Sequence, residues 1–217
     1  MPGKAFSLYY RPFTMNGERH STDNVKVGEK IVPFPENFRM VVTESMVLNK
    51  ILSTPSMSTM DYPVVYKCHI DRSDPFKEIL VSDPTTCVPL GGYQLKMRLI
   101  TPSCWNGVDA DSPDHSAHVA YPTGFLINST CPSTHPVRIP TLFYNVDLNI
   151  TEIRYLVEQG WRLAFPKRVD QFTPSGLSLF HVDFMNGWNQ TFLSDAVTKC
   201  GLYPCPMVKQ QRVCSSL

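Results

Sequence analysis

The sequence predicts a mainly β domain of the β-sandwich or jelly-roll type, stabilised by disulfides, with long ordered loops and one or two short helices. The 217 residues include 19 prolines against 11 glycines, and only 18% are charged, which suits short strands joined by many turns. The seven cysteines form no Cys-x-x-Cys pair, so disulfides are a better explanation for them than a zinc or redox site. Residues 91–101 alternate apolar and polar side chains most regularly, as a half-buried strand does.

Segments with strand composition recur along the chain. Turn signals such as Asn16-Gly17 and a proline-rich connection at 71–89 separate them. Residues 44–60 are rich in Ser, Thr and Met with weak periodicity, and they predict a loop. The predicted strands cover residues 5–13, 26–33, 34–42, 64–70, 91–101, 137–150 and 160–166.

Two short segments have helical character. The clearer one covers residues 193–200, with Gly201 placed to end it, and the other covers 150–159 with Asn149 as its cap. No internal repeat or flexible linker divides the chain. We therefore expect a single domain over residues 1–217, with an irregular tail at 201–217.

Charge and cysteine content indicate the partners and the compartment. The formal net charge is +1 and no basic run occurs, so nucleic acid is not expected as a partner. No stretch approaches the ~20 apolar residues of a membrane span. Disulfides and three glycosylation sequons favour the extracellular space or the secretory pathway, although no signal peptide follows Met1. The sequon asparagines are Asn128, Asn149 and Asn189.

The most informative segment is residues 102–122, here called the polar loop, which follows the strand at 91–101. It holds three aspartates and two histidines between framing prolines. A loop of this length in a compact domain is usually either functional or disordered. Its cysteine and its tryptophan, Cys104 and Trp105, favour order.

Histidines and aspartates in three segments predict a shared polar site. Such side chains are the ligands of divalent transition metals and the usual acids and bases of catalysis. The catalytic candidates are Asp111, Asp114, His115, His118, His181 and Asp183. The candidate metal ligands are His115, His118, His135, His181 and Asp183.

Other interpretations of the same residues stay open. Two carboxylates among Asp111, Asp114 and Asp183 suit glycoside hydrolysis without a metal. Glycan binding without turnover, and polar side chains that only cap turns and order the loops, are the alternatives. The candidates for binding a glycan are Trp105, Tyr121, His135 and Trp188.

Several catalytic classes lack their motifs. The sequence contains no Gly-x-Ser-x-Gly elbow, no P-loop and no dinucleotide-binding glycine fingerprint. Cys104 and Cys131 are explained more simply as disulfide partners than as nucleophiles.

Four blocks of sequence resemble a known family. Residues 102–107, 111–122, 131–140 and 181–188 resemble, in this order, the signature blocks of DUF1996, a mostly fungal family of domains of unknown function. Residues 34–40 resemble an earlier block, and the resemblance covers roughly residues 6–200. It implies a secreted fungal protein, joined in some relatives to a WSC carbohydrate-binding module, and it implies no established reaction.

The chain departs from the family pattern in two ways. A histidine-bearing N-terminal block is missing, so we expect an N-terminally truncated domain and a missing segment or second chain that pairs the odd cysteine. Val182 stands at a glycine position and Asn189 at a position where aspartate is common. The function we expect is a metal-assisted or carboxylate-dependent hydrolase of cell-wall polysaccharide. The alternative is a non-catalytic glycan-binding or wall-associated structural module.

Overall fold

The computed structural model describes residues 5–11, 30–54, 62–74, 77–81, 84–124, 130–159 and 181–199. The strands in these ranges are β1 (Ala5–Arg11), β2 (Arg39–Val42), β3 (Val64–His69), β4 (Glu78–Val81), β5 (Gln94–Ile100), β6 (Cys104–Trp105), β7 (Val119–Ala120), β8 (Val137–Arg138), β9 (Thr141–Asn149) and β10 (Val182–Met185). The helices are α1 (Glu44–Ser53), α2 (Ile150–Glu158) and α3 (Gln190–Lys199), and a 3-10 helix covers Pro84–Cys87.

The largest sheet has five antiparallel strands in the order β1-β9-β5-β3-β4. Its central strand β5 is the segment with the clearest predicted alternation. Cross-strand partners share a face, so Tyr66 and Met97 point to the same side as Leu99 and Tyr144. This side is the inner face of the sheet, and the opposite side mixes charged residues such as Lys96 and Asp147 with the buried Val65, Ile100 and Phe143.

Two smaller antiparallel sheets, β10-β2 and β7-β6-β8, complete the β-structure of the described residues. One cluster of buried side chains takes members from all three sheets, among them Tyr66, Met40, Phe184, Trp105 and Val119. Sheets that bury their inner faces against a shared core are the layers of a sandwich-like domain. The predicted mainly β, disulfide-stabilised fold is confirmed.

Helix α1 is a feature that sequence reasoning missed, since residues 44–60 were predicted as a loop. The Thr43 side chain caps the helix by accepting a hydrogen bond from the Met46 amide at 3.3 Å. Val47 and Ile51, one turn apart, are buried in the core. Tertiary burial of this narrow apolar face therefore decides the local structure over Glu44–Ser53, where the prediction of a loop from composition was wrong.

Helices α2 and α3 agree with the two helical segments predicted from sequence. Asn149 and Asn189 stand at their N-termini, where their side-chain oxygens accept hydrogen bonds from the amides of Thr151 and Phe192 at 3.1 Å each.

Strand β4 forms within residues 71–89, where the sequence predicted only a turn-rich connection. None of the described helices has the length and apolar character that crossing a membrane requires.

Two disulfides join Cys68 to Cys87 and Cys104 to Cys131. They confirm the predicted use of these cysteines in disulfides, and the structure shows which cysteines pair. Several other predicted features lie outside the described residues. These are the Asn16-Gly17 turn, the strands at 26–33 (apart from its last residues) and 160–166, the sequon at Asn128, Cys200, Cys205, Cys214 and the tail at 201–217.

Candidate functional site

The polar loop is ordered by the short strands at its two ends. β6 and β7 pair with each other, and the amide of Asn106 donates to the carbonyl of His118 at 3.0 Å, which closes the base of the loop. The disulfide between Cys104 and Cys131 fixes the first of these strands. The loop is thus an excursion from a hairpin that is covalently pinned.

The loop also extends the sheet formed by β2 and β10. Amides of β2 donate to it, from Arg39 to the Ala110 carbonyl at 2.9 Å and from Val41 to the His115 carbonyl at 2.7 Å. The other edge of β2 pairs with β10, where Asp183 lies opposite Val41. Strand β2 therefore separates the polar loop from β10, and one layer carries two of the three predicted site segments.

Asp114 holds the loop together. Its carboxylate accepts hydrogen bonds from the Ser116 and Ser112 hydroxyls at 2.7 and 2.9 Å and from the Ala117 and Ser116 amides at 2.9 and 3.1 Å. These bonds, led by the one from the Ser116 hydroxyl, hold the pKa of Asp114 well below its usual range. Asp114 is thus an ionised structural anchor rather than a free acid or base.

Asp111 and His115 form a partly exposed pair. The imidazole Nδ1 lies 2.7 Å from the Asp111 Oδ1, and the Ser112 amide donates to the same oxygen at 2.8 Å. The hydrogen bond from His115 is the main reason why the pKa of Asp111 is lowered, and Arg39 adds a weaker electrostatic contribution. The ionised carboxylate therefore fixes the proton on Nδ1 and leaves Nε2 for proton transfer.

The backbone of His115 has a left-handed conformation, with a φ of 55°. Such a conformation is uncommon for a residue with a side chain and persists only where surrounding contacts hold it. Here the His115 amide donates to the Ser112 carbonyl at 2.8 Å, and its carbonyl accepts from Val41. The left-handed turn thus fixes the direction in which the His115 ring leaves the loop.

His118 is buried beneath this pair, with 1% of its surface exposed. Its Nδ1 lies 2.8 Å from the Ser112 hydroxyl, and its ring packs edge-on against Phe38 with centroids 5.2 Å apart. Nε2 is buried and makes no hydrogen bond with any described residue. Burial lowers the pKa of His118, while the nearby Arg39 main chain and the loop aspartates oppose the shift more weakly.

Ser112 links all four polar-loop residues that were predicted as catalytic, although sequence reasoning did not select it. Its amide donates to Asp111, its carbonyl accepts from His115, and its hydroxyl contacts both Asp114 and His118. The Asp-Ser-Pro-Asp order was the available signal, because aspartate and serine side chains commonly bond to the backbone of their own turn.

His135 contacts the loop but has no free ring nitrogen. Its Nε2 donates to the Ala117 carbonyl at 3.0 Å, and its Nδ1 lies 2.9 Å from the Thr134 hydroxyl. The five predicted metal ligands all belong to the described residues, and no group of three or more His, Cys, Asp and Glu side chains within them is placed to hold a metal ion. The expected convergence on one metal is therefore not found, because His118 is buried and His135 is fully hydrogen-bonded.

Asp183 and His181 lie on the exposed side of the β10-β2 sheet. Asp183 alternates with the buried Phe184 along β10 and shares a face with Val41, and its neighbour Met185 shares that face with Arg39. His181 precedes β10 by one residue and is exposed. The exposed face of β2 is thus flanked by the Asp111–His115 pair on one side and by Asp183 on the other.

The three aromatic binding candidates have different positions. Trp105 is 9% exposed, and its indole nitrogen donates to the Asp109 carbonyl at 2.7 Å. The hydroxyl of Tyr121 donates to the Ile100 carbonyl at 2.7 Å, and burial raises the pKa of Tyr121 well above its usual range. Trp188 is 36% exposed and stacks on Phe192 with centroids 5.4 Å apart. Of these three residues, Trp188 is exposed, Tyr121 is half-buried and Trp105 is buried.

These features define a mainly β, disulfide-linked domain whose polar loop carries a partly exposed His–Asp pair beside a sheet. The chain belongs to the DUF1996 family, a domain of unknown function, whose family model matches residues 3–188. The family resemblance expected from the sequence is thereby confirmed. No curated protein and no solved structure matches the chain.

Proposed function

We propose that this domain is an extracellular hydrolase of cell-wall polysaccharide that uses carboxylates and imidazole rather than a bound metal. The observation that carries the proposal is the Asp111–His115 pair, whose atoms lie 2.7 Å apart at the surface of a fixed loop. A carboxylate that holds one imidazole nitrogen orients the other and stabilises the protonated ring. His115 in this arrangement protonates the oxygen of the leaving sugar.

Asp183 supplies the second carboxylate. It lies opposite Val41 on β10, and the Val41 amide binds the His115 carbonyl on the other side. Two spacings between neighbouring strands amount to about 10 Å between these backbone positions. At this spacing a sugar ring and an attacking water fit between His115 and Asp183, as glycoside hydrolysis requires. In this mechanism Asp183 takes the proton of the water.

Reducing-end release from cell-wall polysaccharides tests the proposal. Asp111→Asn and His115→Ala should each lower turnover by about a hundredfold or more, because a positioned acid or base contributes about 10²–10⁴ to the rate. Asp109→Asn is the matched control, since it makes the same change on an exposed aspartate of the same loop and should leave turnover unchanged. Full activity in both site variants, or no release from any wall polysaccharide by the wild-type protein, would reject the proposal.

A non-catalytic glycan-binding module is the second candidate. It is favoured by the stacked pair of Trp188 and Phe192, whose rings are nearly parallel at 5°. Such a platform suits stacking against a sugar ring. Under this alternative, Trp188→Ala abolishes retention on an insoluble polysaccharide, and the wild-type protein releases no reducing ends. Retention that survives the substitution rules this role out for Trp188.

A further inference from the structure

Strand β2 forms the floor of a surface strip between the polar loop on one side and β10 on the other. Val41 lies on this floor between His115 and Asp183, where the proposed hydrolysis takes place. Arg39 lies two residues before Val41, and alternate residues of a strand share a face at a spacing of about 6.6 Å. Arg39 therefore occupies the floor about one sugar unit away from the reacting position.

The strip has an open surface at this second position. The amide of Arg39 donates to the Ala110 carbonyl of the polar loop at 2.9 Å, and Met185 lies opposite Arg39 on β10. Met185 is 73% exposed. Cross-strand partners lie side by side on one face of a sheet, so an accessible apolar side chain stands next to the Arg39 side chain.

The guanidinium group of Arg39 has no partner in the protein. Within the part of the chain that the structure describes, no side chain or carbonyl forms a hydrogen bond or an ion pair with it. Arg39 as a whole is half-buried, and Nε is the only guanidinium nitrogen that is both buried and unbonded. The two terminal nitrogens therefore meet the solvent. A guanidinium group donates hydrogen bonds and accepts none, so its partners must be oxygen acceptors from outside the protein.

The charges along the strip indicate which acceptors these are. The hydrogen bond from His115 contributes most to the lowered pKa of Asp111, and the charge of Arg39 lowers it further, so Arg39 lies within electrostatic reach of the pair. Asp111 and Asp183 contribute two negative charges to the strip. Arg39 and a protonated His115 at most balance them. No excess positive charge is present to hold an acidic sugar, whereas the hydroxyl oxygens of an uncharged sugar suit the donors of Arg39.

We propose that Arg39 and Met185 form a subsite for the sugar unit next to the reacting one, and that the substrate is an uncharged polysaccharide. The terminal nitrogens of Arg39 donate to hydroxyl oxygens of this sugar, and Met185 packs against its apolar ring face. The polysaccharide then lies along β2, between the polar loop and β10. The inference rests on the proposed hydrolase function, to which it adds the class of substrate and the direction of the bound chain.

Backbone amide NMR of the whole chain tests the subsite without requiring turnover. The probes are β-1,3- and β-1,4-linked glucose tetramers, an N-acetylglucosamine tetramer and a galacturonic acid tetramer, with spectra recorded before reducing ends appear. We expect saturable shifts of amides in β2 and β10 with at least one uncharged tetramer. The galacturonic acid tetramer should bind more weakly than that tetramer.

Two variants locate the binding on the strip. Arg39→Gln should weaken it by about tenfold or more, the effect of losing hydrogen bonds from a charged group. Arg72→Gln is the matched control, because Arg72 is an exposed arginine that stacks on Tyr93 away from the strip, and its affinity should equal that of the wild type. Met185→Ala should weaken binding by about threefold or more through lost apolar contact. Since Met185 is exposed, this variant decides the matter if Arg39→Gln does not fold.

Three results would overturn the inference. These are the absence of shifts in β2 and β10 with every uncharged tetramer, tighter binding of the galacturonic acid tetramer than of all the others, and wild-type affinity in the folded Arg39 and Met185 variants. Reducing-end release is measured separately. Binding that depends on Arg39 without any release would reject the hydrolase and keep the subsite, whereas release with unchanged affinity in both variants would reject the subsite alone.

Discussion

A substitution at Gly92 tests how closely the chain packs around the disulfide between Cys68 and Cys87. It precedes β5, and its amide donates to the Cys87 carbonyl at 2.9 Å. A Cβ added at this position would lie 2.7 Å from the Cys87 carbonyl oxygen and closer than 3.0 Å to the sulfurs of Cys68 and Cys87. These sulfurs are bonded to each other, so neither can rotate away as the end of a flexible side chain would.

The cost of Gly92→Ala follows from the movement that it requires. Ordinary contact begins at 3.4 Å, so the carbonyl and the sulfurs must each shift by at least about 0.7 Å. Overpacking of this kind costs about 1–3 kcal/mol, and the bonded sulfurs place this case near the upper value. At about 2–4 °C for each kcal/mol in a chain of this size, the melting temperature should fall by about 6–12 °C.

Calorimetry and thiol counting measure this prediction together. Gly187→Ala is the matched control, because a Cβ there meets nothing within 4 Å and should change the melting temperature by no more than about 2 °C. The number of titratable thiols in unfolded Gly92→Ala tells whether the disulfide still forms. A variant that melts within about 2 °C of the wild type with its disulfide intact would refute the packing argument.

Three further predictions concern local contacts. Burial lowers the pKa of Lys50 from 10.5 to about 8, so the folded state binds fewer protons between these values. The wild type should therefore gain up to about 3 kcal/mol over Lys50→Met in denaturant titrations as the pH rises from 8 to 10.5, and an unchanged difference would contradict this. Thr43→Ala should cost about 1 kcal/mol in the same titrations through loss of the α1 cap, whereas Thr43→Ser should not. Trp105→Phe should lower the melting temperature without reducing retention on polysaccharide. Trp188→Ala should reduce retention on polysaccharide without lowering the melting temperature.

Lys50 also shows how helix α1 and the polar loop depend on each other. Lys50 is 5% exposed, and its ammonium group donates to the Pro122 carbonyl at 2.6 Å and to the Gly124 carbonyl. Both carbonyls belong to the segment where the loop ends. Helix α1 thus supplies the donor that satisfies these two carbonyls of the irregular backbone. A helix that sequence reasoning missed therefore helps to hold the polar loop that sequence reasoning identified.

Features that depend on neighbouring residues could be predicted from the sequence. The alternation that defines β5, the helical spacing of α3 and the order of the polar loop all arise from side chains a few positions apart. The use of Cys104 and Cys131 in disulfides also followed from the cysteine content, whereas which cysteines pair did not. Helix α1 and strand β4 were missed because long-range burial and pairing fix them, and local composition there is weakly patterned.

The candidate site was likewise predictable in its residue types but not in its long-range contacts. Residue types placed His115, Asp111 and Asp183 among the candidates, yet their arrangement depends on β2, which contributes Arg39 and Val41 from more than seventy residues away. Nothing in the spacing of the loop indicates that partner strand. For the same reason the sequence grouped His118 and His135 with the exposed pair. In the structure, the His118 ring packs against Phe38 in the core, and the His135 Nε2 donates to the Ala117 carbonyl.

The internal bonding of the polar loop narrows the chemistry that it can perform. Asp114 is saturated by serines and amides, and Ser112 gives its single hydroxyl proton to that carboxylate, so the hydroxyl can only accept from His118. Ser112 is therefore not activated as a nucleophile by His118. The pair of Asp111 and His115 is the partly exposed place in the loop where a carboxylate meets an imidazole. If the loop catalyses a reaction, we expect it to pass through this pair, because Asp114 is committed to holding the turn in place, His118 is buried, and Asp109 accepts a hydrogen bond from the Asn106 side chain.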